Sequence, residues 1–468
     1  MKNKLLNILI LLLLCFPLYA ENITREQAKQ RALEFFKINT PSGRVQDVKL
    51  VYESKNKVKS ATATPALYIF DNPNGNGFVI LSGDDIAYPV LGYSYENKFP
   101  ENIPAHVQSW IDGMEASINW GRENGVKAPV LPDKTLQTTS YVVKLNTVKW
   151  DQGDPYNRYT PTINGQRTPV GCTATATGIV MRYHKYPDKG RGIIPGYASN
   201  SVSISAKALG HAYDWDNMLE TYTYNQYTDQ QANNVAELLY EIGIALESEY
   251  GVSGTGALPN KVTEVLSKHF KYSKSALFHQ RREYSTDDWY KLVKKELDAN
   301  RPVFYSGYSE EAGHAFVLDG YTSDNYFSVN WGWSGHYNGN FLLDALYPEG
   351  SGIGGNGSHY NNSQGCIVNL IPEDSGEYIS KLSLGEKGMT ITLDATQTQF
   401  EKEKPFKVTL DALWNTGSCQ FIGQYMLGVT DANGSLKEPL QIFTIDYNTG
   451  LLPGWGFPNL EMTVKITN

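Results

Sequence analysis

Hydrophobic and polar positions in the first part of the chain change period several times, as in a small α+β unit. Apolar residues recur at helical spacing over 28–36, directly after Thr24 and Gln27, which fit a capping box. Apolar runs at 66–70 and 78–81 flank a segment rich in Asn, Pro and Gly, which predicts a β-hairpin. A second amphipathic helix is predicted over 106–120.

The middle of the chain has helical patterns first and strand patterns later. Helices are expected after Cys172, over 230–247 and over 260–270. From Pro302 onwards short apolar runs separated by turn residues predict antiparallel strands. This order is typical of an α+β domain built in two parts.

Beyond Pro372 apolar and polar residues alternate, which predicts an all-β sandwich of roughly 90 residues. Breaks in pattern at 123–135 indicate a linker. We therefore expect four segments, namely a leader at 1–20, a small α+β unit at 21–127, a larger α+β domain at 128–373 and a C-terminal β-sandwich domain at 374–468.

The leader has the features of a secretory signal peptide. Lys2 and Lys4 precede an apolar run over 5–14, and Ala20 provides a small residue for cleavage. The run is too short for a membrane span, and no later run is long enough. Cys15 lacks the small residues that precede a lipidated cysteine, which disfavours a lipoprotein. We expect export, with the mature protein secreted, periplasmic or at the cell surface.

Composition narrows the classes of function. The 468 residues are 41 % hydrophobic and 19 % charged, enough for packed cores, and two to four domains are expected. A net charge of −8 disfavours nucleic-acid binding. There is no His-Glu-x-x-His segment and no Cys-x-x-Cys pair, so neither a metal nor another cofactor is expected.

Loss of the leader leaves three cysteines, which are Cys172, Cys366 and Cys419. An odd number in an exported protein points to at least one free thiol. Cys172 follows Pro-Val-Gly and begins a predicted helix, where the helix dipole and free N–H groups are expected to lower the pKa of a thiol. The alternative is a buried structural cysteine. Cys366 and Cys419 either pair with each other or stay free and buried, and we favour the second.

A nucleophilic thiol needs a base and a group that orients the base. His314 begins an apolar strand between small residues, and Asn330 and Trp331 follow at the end of the next strand. Asn330 is expected to accept the ring N–H of His314, and Trp331 to shield that bond from water. The separations of 142 and 158 residues from Cys172 are close to those of papain-like enzymes. His184, about 18 Å along the same helix as Cys172, is too far away to pair with it.

Four motifs occur in an order that resembles the streptopain family of bacterial cysteine peptidases. They are Trp150-Asp-Gln-Gly-Asp-Pro-Tyr-Asn157, Gly171-Cys-Thr-Ala-Thr-Ala176, Gly313-His-Ala-Phe-Val-Leu-Asp-Gly320 and Val329-Asn-Trp-Gly-Trp333. The resemblance implies a papain-like fold with an inhibitory pro-domain, and a secreted endopeptidase made as a zymogen and acting on proteins or peptides.

The same resemblance implies roles for individual residues. Cys172 is the nucleophile and His314 the general base, supported by Trp331 and Asn330. The substrate-binding residues are Thr255, Gly256, Gly313 and Trp333. For the oxyanion hole, Gln152 and Gln280 are both candidates beside the Cys172 backbone N–H.

Two further segments acquire an interpretation from the resemblance. The glycine-rich stretch at 350–360 is expected to form a mobile lid over the cleft. Val126-Lys-Ala-Pro-Val130 resembles a junction between pro-domain and mature enzyme, so cleavage is expected near Lys127.

Two other functions compete with the peptidase. One is an inactive surface protein that binds through its C-terminal sandwich, and an intact Cys172, His314 and Asn330 argue against it. The other is a different thiol acyl-transferase on the same core, such as an amidase or a transglutaminase. The expected partners are protein or peptide substrates and the chain's own pro-domain, with no nucleic acid and no integral membrane segment.

Overall fold

The structure is a computed structural model, and it describes residues 22–40, 45–54, 64–126, 136–200, 202–308, 313–345, 364–385, 388–395, 397–446, 450–453 and 455–467. The expected leader, the expected cleavage site near Lys127 and the expected lid at 350–360 lie outside these residues. Within the described part of the chain, no helix is both long and apolar enough to cross a membrane.

Six α-helices are present in the described residues: α1 Arg25–Asn39, α2 Ala105–Glu123, α3 Cys172–His184, α4 Asp229–Ala245, α5 Lys261–His269 and α6 Thr286–Asp298. The capping box at the start of α1 is confirmed, because Thr24 and Gln27 exchange side-chain and backbone hydrogen bonds. Helix α6 has no counterpart among the elements predicted from the sequence.

The strands between residues 21 and 373 are β1 Lys49–Glu53, β2 Leu67–Asp71, β3 Phe78–Ser82, β4 Val90–Ser94, β5 Tyr141–Lys144, β6 Thr162–Ile163, β7 Gln166–Arg167, β8 Ile193–Ile194, β9 Tyr197–Ser199, β10 Val202–Ile204, β11 Lys207–Ala208, β12 Leu277–Gln280, β13 Val303–Tyr308, β14 Gly313–Thr322, β15 Phe327–Asn330, β16 Gly339–Phe341 and β17 Gly365–Val368. The predicted hairpin is confirmed as the antiparallel pair of β2 and β3.

One sheet runs through both the N-terminal unit and the catalytic domain. Its strand order is β1-β2-β3-β4-β16-β15-β14-β13-β17-β12, and β5 also pairs with β14. The junction is the antiparallel pair of β4 and β16, where Asn340 lies opposite Tyr93 and Phe341 opposite Gly92. The edge strand of the N-terminal unit thus covers an edge that the catalytic sheet would otherwise expose.

Both faces of the catalytic sheet are buried, and β14 shows how the pattern arises. Phe316 and Leu318 belong to a core shared with α2 and α6, whereas Ala315 and Val317 pack on the opposite face against α3 and α4. In the first core Trp110 of α2 stacks edge-on against Phe341 at a centroid distance of 5.0 Å. The N-terminal unit therefore shares a hydrophobic core with the catalytic domain.

The C-terminal segment is all β in its described residues, with strands β18 Leu382–Leu384, β19 Met389–Thr392, β20 Pro405–Asn415, β21 Gly423–Thr430, β22 Leu436–Ile445 and β23 Gly456–Lys465. A four-stranded sheet of β18, β20, β19 and β23 faces the β21–β22 pair across a small apolar core. Two hydrogen bonds at Lys274 join this segment to the domain before it. The Lys274 N–H donates to the Ser375 carbonyl, and the Ser418 hydroxyl donates to the Lys274 carbonyl.

Candidate active site

The segment before Cys172 is built so that the cysteine opens helix α3. Gly171 has a φ of 95°, a conformation that side chains with a Cβ rarely adopt. A Cβ on Gly171 would also lie 2.8 Å from the carbonyl oxygen of Thr255. Only glycine fits both constraints, so the chain turns sharply here and presents Cys172 at the first position of the helix.

Helix α3 is held rigidly behind the cysteine. Residues 173–181 are all buried, and the small side chains of residues 173–178 let the first turns of the helix pack tightly. The Thr173 hydroxyl donates to the carbonyl of Ala257 at 3.0 Å, which ties the first turn to the neighbouring loop. Cys172 itself is only partly buried, so its sulfur can meet a ligand.

Strand β14 brings His314 to the same place. Gly313 is exposed, His314 half-buried and Ala315 buried, and the Ala315 backbone N–H donates towards the Cys172 sulfur. His314 lies opposite Gly307 in the β13–β14 pair, so its backbone is fixed by the sheet. Residues 142 apart in sequence therefore line one and the same cleft.

Cys172 and His314 both line a cleft of about 350 Å³. The cleft joins the start of α3, the start of β14, the end of α4 and the start of α5. Its other lining residues are Thr173, Leu246, Glu247, Glu249, Thr255, Gly256, Ala257, Leu258, Pro259, Lys261, Gly313 and Ala315. Thr255, Gly256 and Gly313, expected to contact substrate, are all among them.

Burial opposes ionisation of the Cys172 thiol and of the His314 imidazole in the uncleaved chain. It raises the pKa of Cys172, outweighing the N–H groups of Ala315, Thr173 and Cys172 itself, which act in the lowering direction. It also lowers the pKa of His314 to about 4. The expectation of a lowered pKa at Cys172 is thus wrong for this form of the protein, because desolvation exceeds the effect of the helix N-terminus.

Asn330 is used differently from the sequence expectation. Its amide donates to the Thr147 hydroxyl and the Val148 carbonyl, both at 2.9 Å, and its oxygen accepts the Gly332 N–H at 3.2 Å. It lies opposite Val317, three residues and about 10 Å along β14 from His314. These bonds fasten the end of β15 to the segment that leads to Trp150.

Trp331 forms a wall beside the histidine strand. It is 1 % exposed, its indole N–H donates to the Tyr337 carbonyl at 3.1 Å, and its ring lies 4.8 Å from that of Phe316. Trp333, expected to contact substrate, is partly buried against the core shared with α2 and is not among the described residues that line the cleft.

The loop expected to contact substrate is a tight hairpin beside Cys172. Glu249 and Gly256 exchange backbone hydrogen bonds of 2.8 and 3.2 Å. The Thr255 hydroxyl donates to the Pro169 carbonyl at 2.7 Å, which holds the loop against the segment before Cys172. Thr255 is buried whereas Gly256 is exposed in the cleft, so Gly256 offers the accessible backbone.

The two glutamines proposed for the oxyanion hole lie in different places. The Gln152 carbonyl accepts the Val170 N–H at 2.9 Å, two residues before Cys172. Gln280 pairs with Gly365, Gly365 with Ser306 and Ser306 with Ala315, so Gln280 is three strands and about 14 Å from the strand of His314. Neither is among the cleft residues, but Gln152 is bonded to the segment that leads directly into Cys172.

One polar cluster that the sequence did not indicate lies away from the cleft. Ligand-type atoms of His211, Glu237 and Glu241 are all within 4.8 Å of one another. The Lys207 ammonium lies 3.1 Å from Glu237 and 3.3 Å from the fully buried Glu241, and Tyr213 donates to Glu241 at 2.7 Å. A metal ion would compete with Lys207, so the contacts describe an ion-pair network.

Sequence reasoning also missed the far wall of the cleft. Leu246, Glu247 and Lys261 come from the ends of α4 and α5 and carry no motif. The role of the Ala315 N–H as a donor towards Cys172 could be anticipated from the sequence only because Ala315 follows His314. Cys172, Cys366 and Cys419 are all free thiols within the described residues; Cys366 is buried as expected, whereas Cys419 is only partly buried.

Comparisons with known proteins agree with this geometry. The model of the Peptidase C10 family matches residues 150–341, and the Spi protease inhibitor model matches 20–118. Streptopain of Streptococcus pyogenes serotype M28 is 32 % identical over 403 residues, which cover 79 % of this chain and 98 % of streptopain. The thiol protease/hemagglutinin PrtT of Porphyromonas gingivalis is 30 % identical over 77 % of this chain and 43 % of that protein.

A solved structure is similar as well. A fragment of Prevotella intermedia prointerpain A, carrying a cysteine-to-alanine mutation, superposes with a TM-score of 0.57 and 31 % identity. The match covers 69 % of this chain and 99 % of the fragment. With the family model on the catalytic region and the inhibitor model on the region before it, the chain belongs to the Peptidase C10 family and is a cysteine peptidase made as a zymogen with a papain-like catalytic core.

Proposed function

We propose that Cys172 is the nucleophile and His314 the base of this endopeptidase. The observation that carries the assignment is that Cys172, at the first position of α3, and His314, at the start of β14, line the same open cleft. Exposed Gly256 and Gly313 line the same cleft as the thiol, so their backbone is accessible to a substrate main chain.

The reaction then proceeds in two stages. The Cys172 proton passes to the His314 imidazole as the sulfur–carbon bond forms, and the imidazolium returns that proton to the leaving amine as the carbon–nitrogen bond breaks. Water, deprotonated by His314, attacks the thioester; the carbon–sulfur bond breaks and the thiol is restored. Trp331 shields the histidine strand, and Asn330 acts as a positioning residue through Thr147 and Val148.

In the first stage a negative charge develops on the carbonyl oxygen of the substrate. We assign its stabilisation to the Cys172 backbone N–H and the Gln152 side chain, supported by the bond between the Gln152 carbonyl and Val170. Thr255 holds the loop that lines this side of the cleft, and Gly256 and Gly313 offer main-chain contacts to the substrate.

Removal of the Gln152 amide is expected to lower kcat by about 100-fold, the usual cost of losing one oxyanion donor. The measurement compares Gln152→Ala with the matched variant Gln280→Ala on a fluorogenic peptide. Gln280→Ala should stay within about twofold of the wild type, because it lies about 14 Å from the histidine strand. The reverse order of effects would overturn the assignment of Gln152.

We further propose that the segment 21–127 is the inhibitory pro-domain, that 128–373 is the catalytic domain and that 374–468 is the separate sandwich. Support comes from the β4–β16 pairing and the core shared by α2 and the histidine strand. Both must separate when the pro-domain leaves. Cleavage near Lys127 would cut directly after the end of α2 and release it.

The contact between β4 and β16 offers a direct test of this zymogen organisation. A Cβ on Gly339 would lie 2.6 Å from the Tyr93 carbonyl oxygen of the pro-domain, whereas its nearest atom in the catalytic domain, on Phe341, is 3.3 Å away. Gly339→Ala should therefore weaken pro-domain docking by about 1–3 kcal/mol. The uncleaved variant should convert to active enzyme roughly tenfold faster.

The conversion is followed by caseinolytic activity and by N-terminal sequencing of the product. The variant's mature form serves as its own control, because kcat/KM should match that of the wild type once the pro-domain is gone. An unchanged conversion rate would contradict the proposed docking. Full activity with an N-terminus still near Glu21 would contradict the inhibitory role itself.

Export is part of the same proposal. The positive start, the apolar run and Ala20 support removal of 1–20 during secretion, so that the zymogen acts outside the cytoplasm, either secreted, periplasmic or at the cell surface. Its partners there are protein or peptide substrates and its own pro-domain.

A further inference from the structure

A second groove lies between the catalytic domain and the C-terminal sandwich. The catalytic side contributes Ile244, Val265 and His269, and the sandwich contributes Leu452, Pro453 and Trp455. Its volume is about 120 Å³. We call this space the interdomain groove.

The interdomain groove lies next to the active-site cleft. Glu247 and Lys261 line both, and their side chains form an ion pair of 2.5 Å between the two spaces. The Glu247 side chain is 56 % exposed, so this ion pair lies at the surface between the cleft and the groove. A ligand that occupies the cleft can therefore extend over this pair into the groove.

The sandwich side of the groove is a turn held from beneath by a buried asparagine. The Asn415 side chain donates to the Leu451 carbonyl at 2.7 Å, and its backbone N–H donates to the Trp455 carbonyl at 2.8 Å. Trp455 N–H closes the turn on the Leu452 carbonyl at 2.9 Å. Fixed in this way, the Leu452 and Trp455 side chains remain 37 % and 54 % exposed.

Contacts outside the groove hold the sandwich, and with it this turn, against the catalytic domain. Ser418 donates to the Lys274 carbonyl at 2.6 Å, and Lys381 forms an ion pair with Glu283 at 2.7 Å. The tryptophan therefore stands at a defined position beside α5. A fixed, exposed tryptophan next to apolar side chains is typical of a binding surface.

We propose that the interdomain groove is a distal subsite that binds an apolar or aromatic side chain of an extended polypeptide substrate. The proposal rests on the proposed function, since the substrate is the one cleaved at Cys172. Helix α5 spans about 12 Å from Lys261 to His269, which corresponds to about four residues of extended chain. The subsite therefore selects a residue about four positions beyond those held in the cleft.

Charge on the rim favours this apolar occupant. Glu247 pairs with Lys261, and Glu264 lies 3.8 Å from Lys268. Each of these two carboxylates that line the groove thus has a basic partner that also lines it. Neither sign of charge dominates, and an apolar side chain gains from covering Trp455 and Leu452. The two residues that the groove shares with the cleft favour a substrate chain over a second copy of the protein.

The test compares two fluorogenic peptides with the same central sequence. The short one spans two residues on each side of the cleaved bond, and the long one adds four residues at each end that include leucine and tryptophan. Activated enzyme is used, with mass spectrometry verifying that the sandwich is retained. Trp455→Ala should lower kcat/KM for the long peptide about tenfold, mainly through KM, and leave the short peptide unchanged.

Phe400→Ala is the matched control, because Phe400 is a 50 % exposed aromatic residue of the same domain away from the groove. It should leave both peptides unchanged, and Leu452→Ala should reproduce a smaller loss on the long peptide alone. An unchanged ratio of long to short cleavage in both Trp455→Ala and Leu452→Ala overturns the subsite. So does a dimer that Trp455→Ala dissociates with no change in that ratio.

Failure of the proposed function gives a different result. In that case the wild type would cleave neither peptide, whereas failure of the subsite alone leaves the short peptide cleaved normally by every variant. Should Trp455→Ala unfold, Trp455→Phe with Leu452→Ala retains the backbone bonds of the turn and still reports on the apolar contact.

Discussion

Cys172→Ala is expected to lose at least about 10⁴-fold in kcat/KM on casein, because no other group can form the acyl-enzyme. The sulfur lies at the start of α3, next to the Ala315 N–H and inside the cleft. Removal of the nucleophile leaves substrate binding and the oxyanion donors, which account for the small residual rate. Initial rates on activated enzyme give the measurement.

Cys419→Ala is the matched control for this variant. Cys419 is also a free, partly buried cysteine, and its thiol donates to the Ile379 carbonyl at 3.7 Å, far from any cleft residue in sequence. It should retain full activity and full sensitivity to a thiol alkylator. Equal caseinolysis by wild type and Cys172→Ala would contradict the assignment of the nucleophile.

His314→Ala is expected to lose at least about 10³-fold, as when the base of such a pair is removed. The imidazole receives the thiol proton and passes it to the leaving amine, and no other histidine lines the cleft within the described residues. His336→Ala, at an exposed position four residues beyond Gly332, should keep wild-type activity. Comparable losses in the two variants would contradict the role of His314.

The pH profile gives a second readout for His314. Burial lowers the pKa of its imidazole to about 4, so the neutral form, which accepts a proton, is present above that pH and is lost as pH falls through about 4. The rate of Cys172 alkylation in the uncleaved chain should therefore fall on the acid side around pH 4. In His314→Ala this acid limb should disappear.

Sequence patterns predicted those structural features that depend on residues close together in the chain. The capping box of α1, the hairpin of β2 and β3 and the start of α3 at Cys172 all follow from short segments, and each is present. Helix α6 was missed although Ser285 caps it, because its apolar residues lie within a polar, highly charged stretch.

Long-range contacts were beyond these patterns. The β4–β16 junction joins strands about 250 residues apart, and nothing local to Gly339 indicates its partner. The same applies to Glu247 and Lys261, which reach the cleft only because α4 and α5 end there. Asn330 was identified as important by its place at the end of a predicted strand, but its bonds to Thr147 and Val148 depend on a segment far away in sequence.

The pKa of Cys172 shows why local reasoning gave the wrong direction. A helix N-terminus lowers a thiol pKa through nearby N–H groups, which are present here. Burial, however, is set by everything that packs around the cleft and acts more strongly. In this pro-form the thiol and the imidazole are therefore both expected to be neutral near pH 7.

The central claim is that Cys172 is the reactive thiol and depends on His314. It is tested most directly by adding substoichiometric iodoacetamide to activated enzyme and locating the adduct by mass spectrometry. We predict modification of Cys172, with none at Cys366 or Cys419, and a much slower reaction in His314→Ala. Modification of Cys419 in preference to Cys172, or a rate at Cys172 that is the same in His314→Ala, would contradict the account.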